Sequence, residues 1–219
     1  MLGHMRCRSN IHTFEDDDFL KRMTQCSAVT FIIGLAATLV FAVVLAACVP
    51  GGFDGLLVGI LSEDGRGIVD YLLWIAWVAV ALVVSLAAHE LVHAIFFKAF
   101  APAGTRVSFG ANWKRGMLYA CAEGIVYTRR QYLIIALAPT FVVTLLVVAA
   151  GLACGCPVAG AFTAVLHLTG CAGDWGYVHE LRADPLITHC EDTSYGVCFY
   201  GDDEDCDADF GEEQEEVRS

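Results

Sequence analysis

Five consecutive residues, His89-Glu90-Leu91-Val92-His93, carry the clearest chemistry in the chain. On a helix, positions four apart share one face, so His89 and His93 can bind a single Zn²⁺ through their imidazoles. Glu90 lies between them and can hold a water against the metal and take its proton as general base. Two histidines do not complete a catalytic zinc site, which normally has three protein ligands and keeps a fourth position for water. Asp174, in Ala172-Gly173-Asp174-Trp175-Gly176, is the candidate third ligand.

The setting separates this pattern from a chance match. A soluble core helix with satisfied histidines is the plain alternative, but Trp74–Ala88 before the motif and Ala94–Phe97 after it are almost entirely apolar. About thirty helix-compatible apolar residues exceed what a buried core helix needs, and ionisable groups at membrane depth read as functional. His167 lies seven residues before Asp174, about two turns or roughly 10 Å away, too far for the same zinc. It is expected to be hydrogen-bonded within the bundle, with substrate binding as the alternative. His179-Glu180-Leu181-Arg182-Ala183 imitates the motif, lacks its second histidine, and is read as exposed and inert.

The elements that must position these residues follow from composition. The chain is 57% hydrophobic and 17% charged, with charge confined to its ends and one central loop, which is the pattern of a polytopic membrane protein. The net charge of -12 comes mainly from Glu15–Asp18 and Asp202–Glu216. These describe solvated runs, not a binding surface, and no nucleic-acid partner is expected. Ala28–Val49, about Tyr71–Phe97, Gln131–Ala153 and Pro157–Val178 are the four expected transmembrane helices. Leu45-Ala46-Ala47-Cys48 makes a lipid-modified cleaved leader the alternative for the first, but its apolar core is longer than a signal h-region. Pro50–Val69 is a Gly-rich connection, read as a surface loop, with an interfacial turn of helix around Leu56–Leu61 as the alternative. Pro139 interrupts the third span, where proline kinks a helix and frees a carbonyl.

Basic residues flank the N-terminus (Arg6, Arg8, Lys21, Arg22) and the loop after the second span (Lys98, Arg106, Lys114, Arg115, Arg129, Arg130). The Pro50–Val69 connection holds only Arg66. The positive-inside rule therefore puts the first two segments, and both termini, in the cytoplasm. Spans two and four then run in the same direction, with His89 and Asp174 each about 26 Å from their starts, level to within about one helical turn. Asp174 as an interfacial helix-capping carboxylate is the alternative reading.

Within the cytoplasmic loop, Val107–Trp113, Met117–Ala122 and Ile125–Tyr127 are β-prone runs that predict a small hairpin or three-stranded ribbon between helices two and three. Its edge could hold an extended peptide, or it could simply cover the helix ends. Tyr195–Tyr200 is a short β segment after the last span, and the acidic tail Asp202–Ser219 is expected to be disordered. Ten cysteines form no C-x-x-C pair and fit no zinc spacing, so Cys190, Cys198 and Cys206 are read as reduced thiols. The fold class is thus an all-α polytopic membrane protein with four helices and a small β ribbon. It divides into an N-terminal segment 1–26, a membrane domain 27–178, an extension 179–200 and a tail 201–219.

The motif at a span end, the β-prone loop, Ala138-Pro139 within a span and Gly173-Asp174 at the end of another resemble a bacterial family known as putative zincin peptidases, of unknown function. More remotely, they resemble the site-two-protease clan of intramembrane metalloproteases. The likeness covers about Tyr71–Tyr200 and implies Zn²⁺ on His89, His93 and Asp174, with Glu90 as base. The chain lacks the remoter clan's Asn-x-x-Pro element and its Leu-Asp-Gly triplet, so that clan's regulatory substrates are not carried over. The expected function is a zinc-dependent metallopeptidase in the cell membrane, hydrolysing peptide or membrane-protein substrates near the cytoplasmic face. The alternative is a non-catalytic membrane protein with a structural or degenerate zinc site, closed by a fourth side chain such as His167 or Cys171. Metal transport would need ionisable residues spread along a pathway, and here they cluster at one end.

Overall fold

The computed structural model describes residues 5–13, 15–49, 67–112 and 117–202. The expectations for Leu56–Leu61, most of the Pro50–Val69 connection, the tail beyond Asp202 and Cys206 fall outside them. Five helices occupy the described residues: α1 (Asp17–Cys48), α2 (Gly67–Phe100), α3 (Arg129–Ala153), α4 (Pro157–Gly170) and α5 (Ala172–Ala183). Six strands join them: β1 (Met5–His12), β2 (Ser108–Asn112), β3 (Met117–Cys121), β4 (Val126–Thr128), β5 (His189–Thr193) and β6 (Gly196–Asp202).

Local chemistry sets the helix ends. Asp16 Oδ1 accepts the Phe19 N–H at 2.8 Å, and Asp17 and Asp18 follow in the first turn, so acid read as merely solvated caps α1 eleven residues before Ala28. Gln131 Oε1 accepts the Thr128 N–H at 2.9 Å while Thr128 Oγ1 accepts the Gln131 N–H at 3.4 Å, a reciprocal capping box that starts α3. Pro102 disfavours helical geometry at Ala101 and ends α2. The helices α1, α2 (from Tyr71) and α3 are long and apolar enough to cross a membrane. Their exposed faces suit lipid: Ile32, Val40 and Val43 on α1, Val80, Val83 and Val84 on α2, Phe141, Leu145 and Leu146 on α3.

The expected fourth span, Pro157–Val178, is divided between α4 and α5. Cys171 N–H is shared between His167 O at 3.3 Å and Leu168 O at 3.2 Å, which tightens the turn at the junction. Gly170, Gly173 and Gly176 surround the break and lower the local helix propensity.

Contacts group the chain into two compact units. The helical unit comprises Arg22–Val92 and Ala138–Gly173. Here α3 and α4 meet glycine to glycine: a Cβ on Gly151 would lie 2.6 Å from Gly160 Cα, so neither position admits a side chain. Ser27 Oγ donates to Thr169 O at 2.7 Å, and Trp74 stacks on Phe162 with ring centroids 5.7 Å apart.

The sheet unit comprises Met1–Lys21, His93–Leu137 and Asp174–Ser219. Its four-stranded antiparallel sheet has the order β1-β6-β5-β4, and β2 and β3 form a separate hairpin. An all-α description with one loop ribbon therefore understates the β content. The N-terminal segment contributes β1, which pairs Ile11 with Val197, and β4 pairs with β5, not with β3. Packing explains the choice, because β4 directs Tyr127 into a core with Phe97, and Tyr127 Oη donates to Phe97 O at 3.2 Å. Burial holds the Tyr127 phenol up at about 12, with the Asp192 charge adding to the effect.

Candidate metal centre

In the sheet unit, α2 delivers His93 and the first turn of α5 delivers Asp174. Asp174 Oδ1 lies 3.4 Å from His93 Nε2, and both side chains are largely buried. The approach of α5 is set by α1. A Cβ on Gly176 would come within 2.8 Å of the Phe19 ring, Phe19 stacks on Tyr177 at 5.3 Å, and Thr13 Oγ1 bonds Tyr177 Oη.

The other ring nitrogen of His93 explains its orientation. His93 Nδ1 lies 3.0 Å from Ile135 O. Ile135 is four residues before Pro139, which lies inside α3 and has no N–H to offer that carbonyl. The carbonyl is an acceptor only, so His93 Nδ1 carries the proton, and in the neutral imidazole Nε2 has its lone pair toward Asp174. A metal-ligating histidine almost always donates its second N–H to a carbonyl or carboxylate in this way. The donors therefore fit zinc: an imidazole locked in the ligating tautomer, facing a carboxylate at a helix start.

In the helical unit, His89 is one turn before His93 on α2 and is 8% exposed. Its Nδ1 lies 3.1 Å from His167 Nε2, with the rings edge-on at 63°. Thr144 Oγ1 lies 3.2 Å from His167 Nδ1, and Cys171 Sγ is 3.9 Å from both His89 Nδ1 and His167 Nε2. These three residues are buried and offer ligand atoms within 4.8 Å of one another. Glu90, next to His89 in sequence, is half-buried, and His179 is exposed.

The expected hydrogen-bonded role of His167 holds, but its partner is His89, which the estimate of roughly 10 Å from Asp174 did not anticipate. His89 and His93 take different hydrogen-bond partners, His167 Nε2 and Ile135 O. Cys171, expected with His167 as a side chain that could close a zinc site, is a member of the cluster. The signal was its spacing of four from His167, which puts both on one helical face. All nine cysteines among the described residues are free thiols.

The described residues are mostly helical, with three helices apolar enough to cross a membrane, as in a membrane protein, and with groups of His, Asp and Cys donors that could hold a metal ion. Residues 82–186 match the model of the family described as "Putative zincin peptidase", so the resemblance read from the motif holds over that stretch. No curated protein and no solved structure matches the chain.

Proposed function

We propose that the protein is a membrane-embedded zinc metallopeptidase of the HExxH type, with His89, His93 and Asp174 as ligands and Glu90 as general base. The observation that carries this reading is the His93–Asp174 pair at 3.4 Å with His93 held in its ligating tautomer by Ile135 O. Helical continuity adds His89 one turn away on the same face, with Nδ1 turned to His167. When bound, zinc supplies a Lewis acid that acidifies a water and polarises a peptide carbonyl. Glu90 takes the proton from the attacking water and passes it to the leaving amine. Asp174 neutralises cationic charge while leaving a coordination position open.

Four membrane crossings with cytoplasmic termini are part of the proposal, and the sheet supports them. β1 precedes α1, β4 precedes α3, and β5 and β6 follow α5, yet all four strands share one sheet. The ends of the chain that meet in this sheet lie on one side of the bilayer, so each long excursion between them returns to it. The chain leaves through α1 and returns through α2, then leaves through α3 and returns through α4 and α5 together. Arg6, Arg8, Arg129 and Arg130 lie on that side, which the positive-inside rule makes cytoplasmic. The substrate is a peptide or membrane protein whose scissile bond reaches the site near that face, where water has a short path.

The test is peptide release by purified protein in detergent or liposomes. Glu90→Gln keeps its zinc and loses at least about 100-fold in turnover, the scale expected for loss of a general base. Turnover in Glu90→Gln equal to wild type would remove the peptidase reading.

A further inference from the structure

We propose that His89, His167 and Cys171 form a second, thiolate-containing position for a borderline-soft divalent cation such as Zn²⁺, and that it competes with the HExxH site for His89. The position is built within one unit, between α2 and the α4–α5 junction, and all three side chains are buried. Zinc with bonds of about 2.0–2.1 Å to nitrogen and about 2.3 Å to sulfur sets tetrahedral neighbours ~3.3 Å apart for N and N and ~3.6 Å for N and S. The observed separations are 3.1 Å between His89 Nδ1 and His167 Nε2, and 3.9 Å from Cys171 Sγ to each. Each lies within about 0.3 Å of the tetrahedral value, so small side-chain movements close the site.

Two further features prepare the position. Thr144 Oγ1 lies 3.2 Å from His167 Nδ1 and can accept a hydrogen bond from its N–H, which leaves the His167 Nε2 lone pair facing the cluster. Cys171 sits at the junction between helices, where its N–H is shared between two carbonyls, and its Sγ projects back over His167 O at 3.5 Å. An imidazole and thiolate set prefers zinc or a softer cation over Mg²⁺ or Ca²⁺, which require oxygen ligands.

Sharing His89 has a defined consequence. A neutral imidazole has one N–H and one lone pair. With the proton on Nδ1, donated to His167 Nε2, His89 ligates through Nε2 at the HExxH site. With the proton moved to Nε2, it ligates through Nδ1 together with His167 and Cys171, whose thiol releases its proton to solvent as the metal binds. One neutral His89 thus serves one ion at a time, and the inner position withdraws the ion from Asp174 and from the water site. This exclusivity rests on the proposed role of His89 at the HExxH site, whereas the existence of the inner position does not.

The experiment uses the full-length protein, saturated with zinc and measured by X-ray absorption, alongside metal stoichiometry. Asp174→Asn opens the HExxH site with an isosteric change, and we expect it to bind one zinc per chain with a sulfur shell at about 2.3 Å. Adding Cys171→Ser removes that shell. The wild type should saturate at one zinc per chain. A nitrogen- and oxygen-only shell in Asp174→Asn, or a sulfur shell that survives Cys171→Ser, overturns the inner position. Two zinc ions per wild-type chain overturns the sharing of His89. Because the readout in Asp174→Asn is the sulfur shell and not turnover, failure of the inner position leaves the peptidase reading separately testable through Glu90→Gln. Should Asp174→Asn fail to fold, His93→Gln opens the same site and carries the same expectation.

Discussion

Pro139→Ala is expected to weaken zinc binding while leaving the fold at least as stable, a combination that few substitutions near a metal site produce. In the wild type, Pro139 has no N–H for Ile135 O, and that carbonyl instead receives His93 Nδ1–H at 3.0 Å. Alanine restores the backbone N–H four residues after Ile135, so the helix reclaims the carbonyl and His93 loses or shares its acceptor. Loss of such an orienting partner typically costs 10–100-fold in metal affinity, or about 1.4–2.7 kcal/mol. Helix propensity moves stability the other way, since interior proline is about 3 kcal/mol less favourable than alanine. Pro139 is fully buried, and loss of its ring atoms returns on the order of 1 kcal/mol of that gain. The assay is zinc competition against a chelator, paired with thermal unfolding of the metal-free protein in the same detergent. Unchanged zinc affinity would refute the link between Pro139 and His93. A loss of affinity matched by an equal loss of stability in the metal-free protein would reduce it to general disruption.

Other consequences concern the sheet unit. The Cys190 thiol is held up at about 12 by burial, with Arg129 opposing and Asp192 adding to the shift. At pH 8 it should therefore stay unlabelled by a maleimide while exposed Cys154 reacts, and equal labelling by mass spectrometry would show that the sheet core is open. Arg8 Nε donates to Asp184 Oδ2 at 2.9 Å and ties β1 to the segment after α5. Burial raises the Asp184 pKa, but the Arg8 hydrogen bond, the Leu186 N–H and the charges of Arg8 and Arg129 outweigh it, so the carboxyl titrates below its ordinary 3.8. A depressed folded-state value contributes stability above the unfolded pKa and loses it as pH falls through the folded one. The thermal midpoint of Asp184→Asn should consequently lie below wild type at pH 6 and converge with it in strong acid, and a gap that persists at low pH would exclude this pair as its source. Thr144→Val should loosen His167 and lower zinc binding at the HExxH site by less than tenfold, because there the hydroxyl reaches only His167, a neighbour of the ligand His89. A complete loss of zinc would make Thr144 a ligand or a folding determinant.

How much of this was legible beforehand depended on whether the signal was local. The helix carrying His89 and His93 follows from an apolar run with one periodicity, and the structure extends it to Gly67–Phe100. The depth estimate used only rise per residue, yet an imidazole and Asp174 do meet. The break at Cys171 escaped notice because glycine-rich apolar sequence is compatible with one continuous membrane helix. β1 was missed for another reason. Met5–His12 is polar with little alternation, and only β6, nearly two hundred residues later, supplies its partner. Likewise, Pro139 was visible as a source of a free carbonyl, whereas its recipient, His93, required the fold.

Zinc content after dialysis against a chelator, compared between wild type and His89→Ala, tests the central claim most directly, because both proposed positions need that imidazole. The account predicts about one zinc per chain retained by wild type and little retained by His89→Ala, with His179→Ala behaving as wild type because that histidine is exposed. Equal zinc in wild type and His89→Ala under the same dialysis would contradict it.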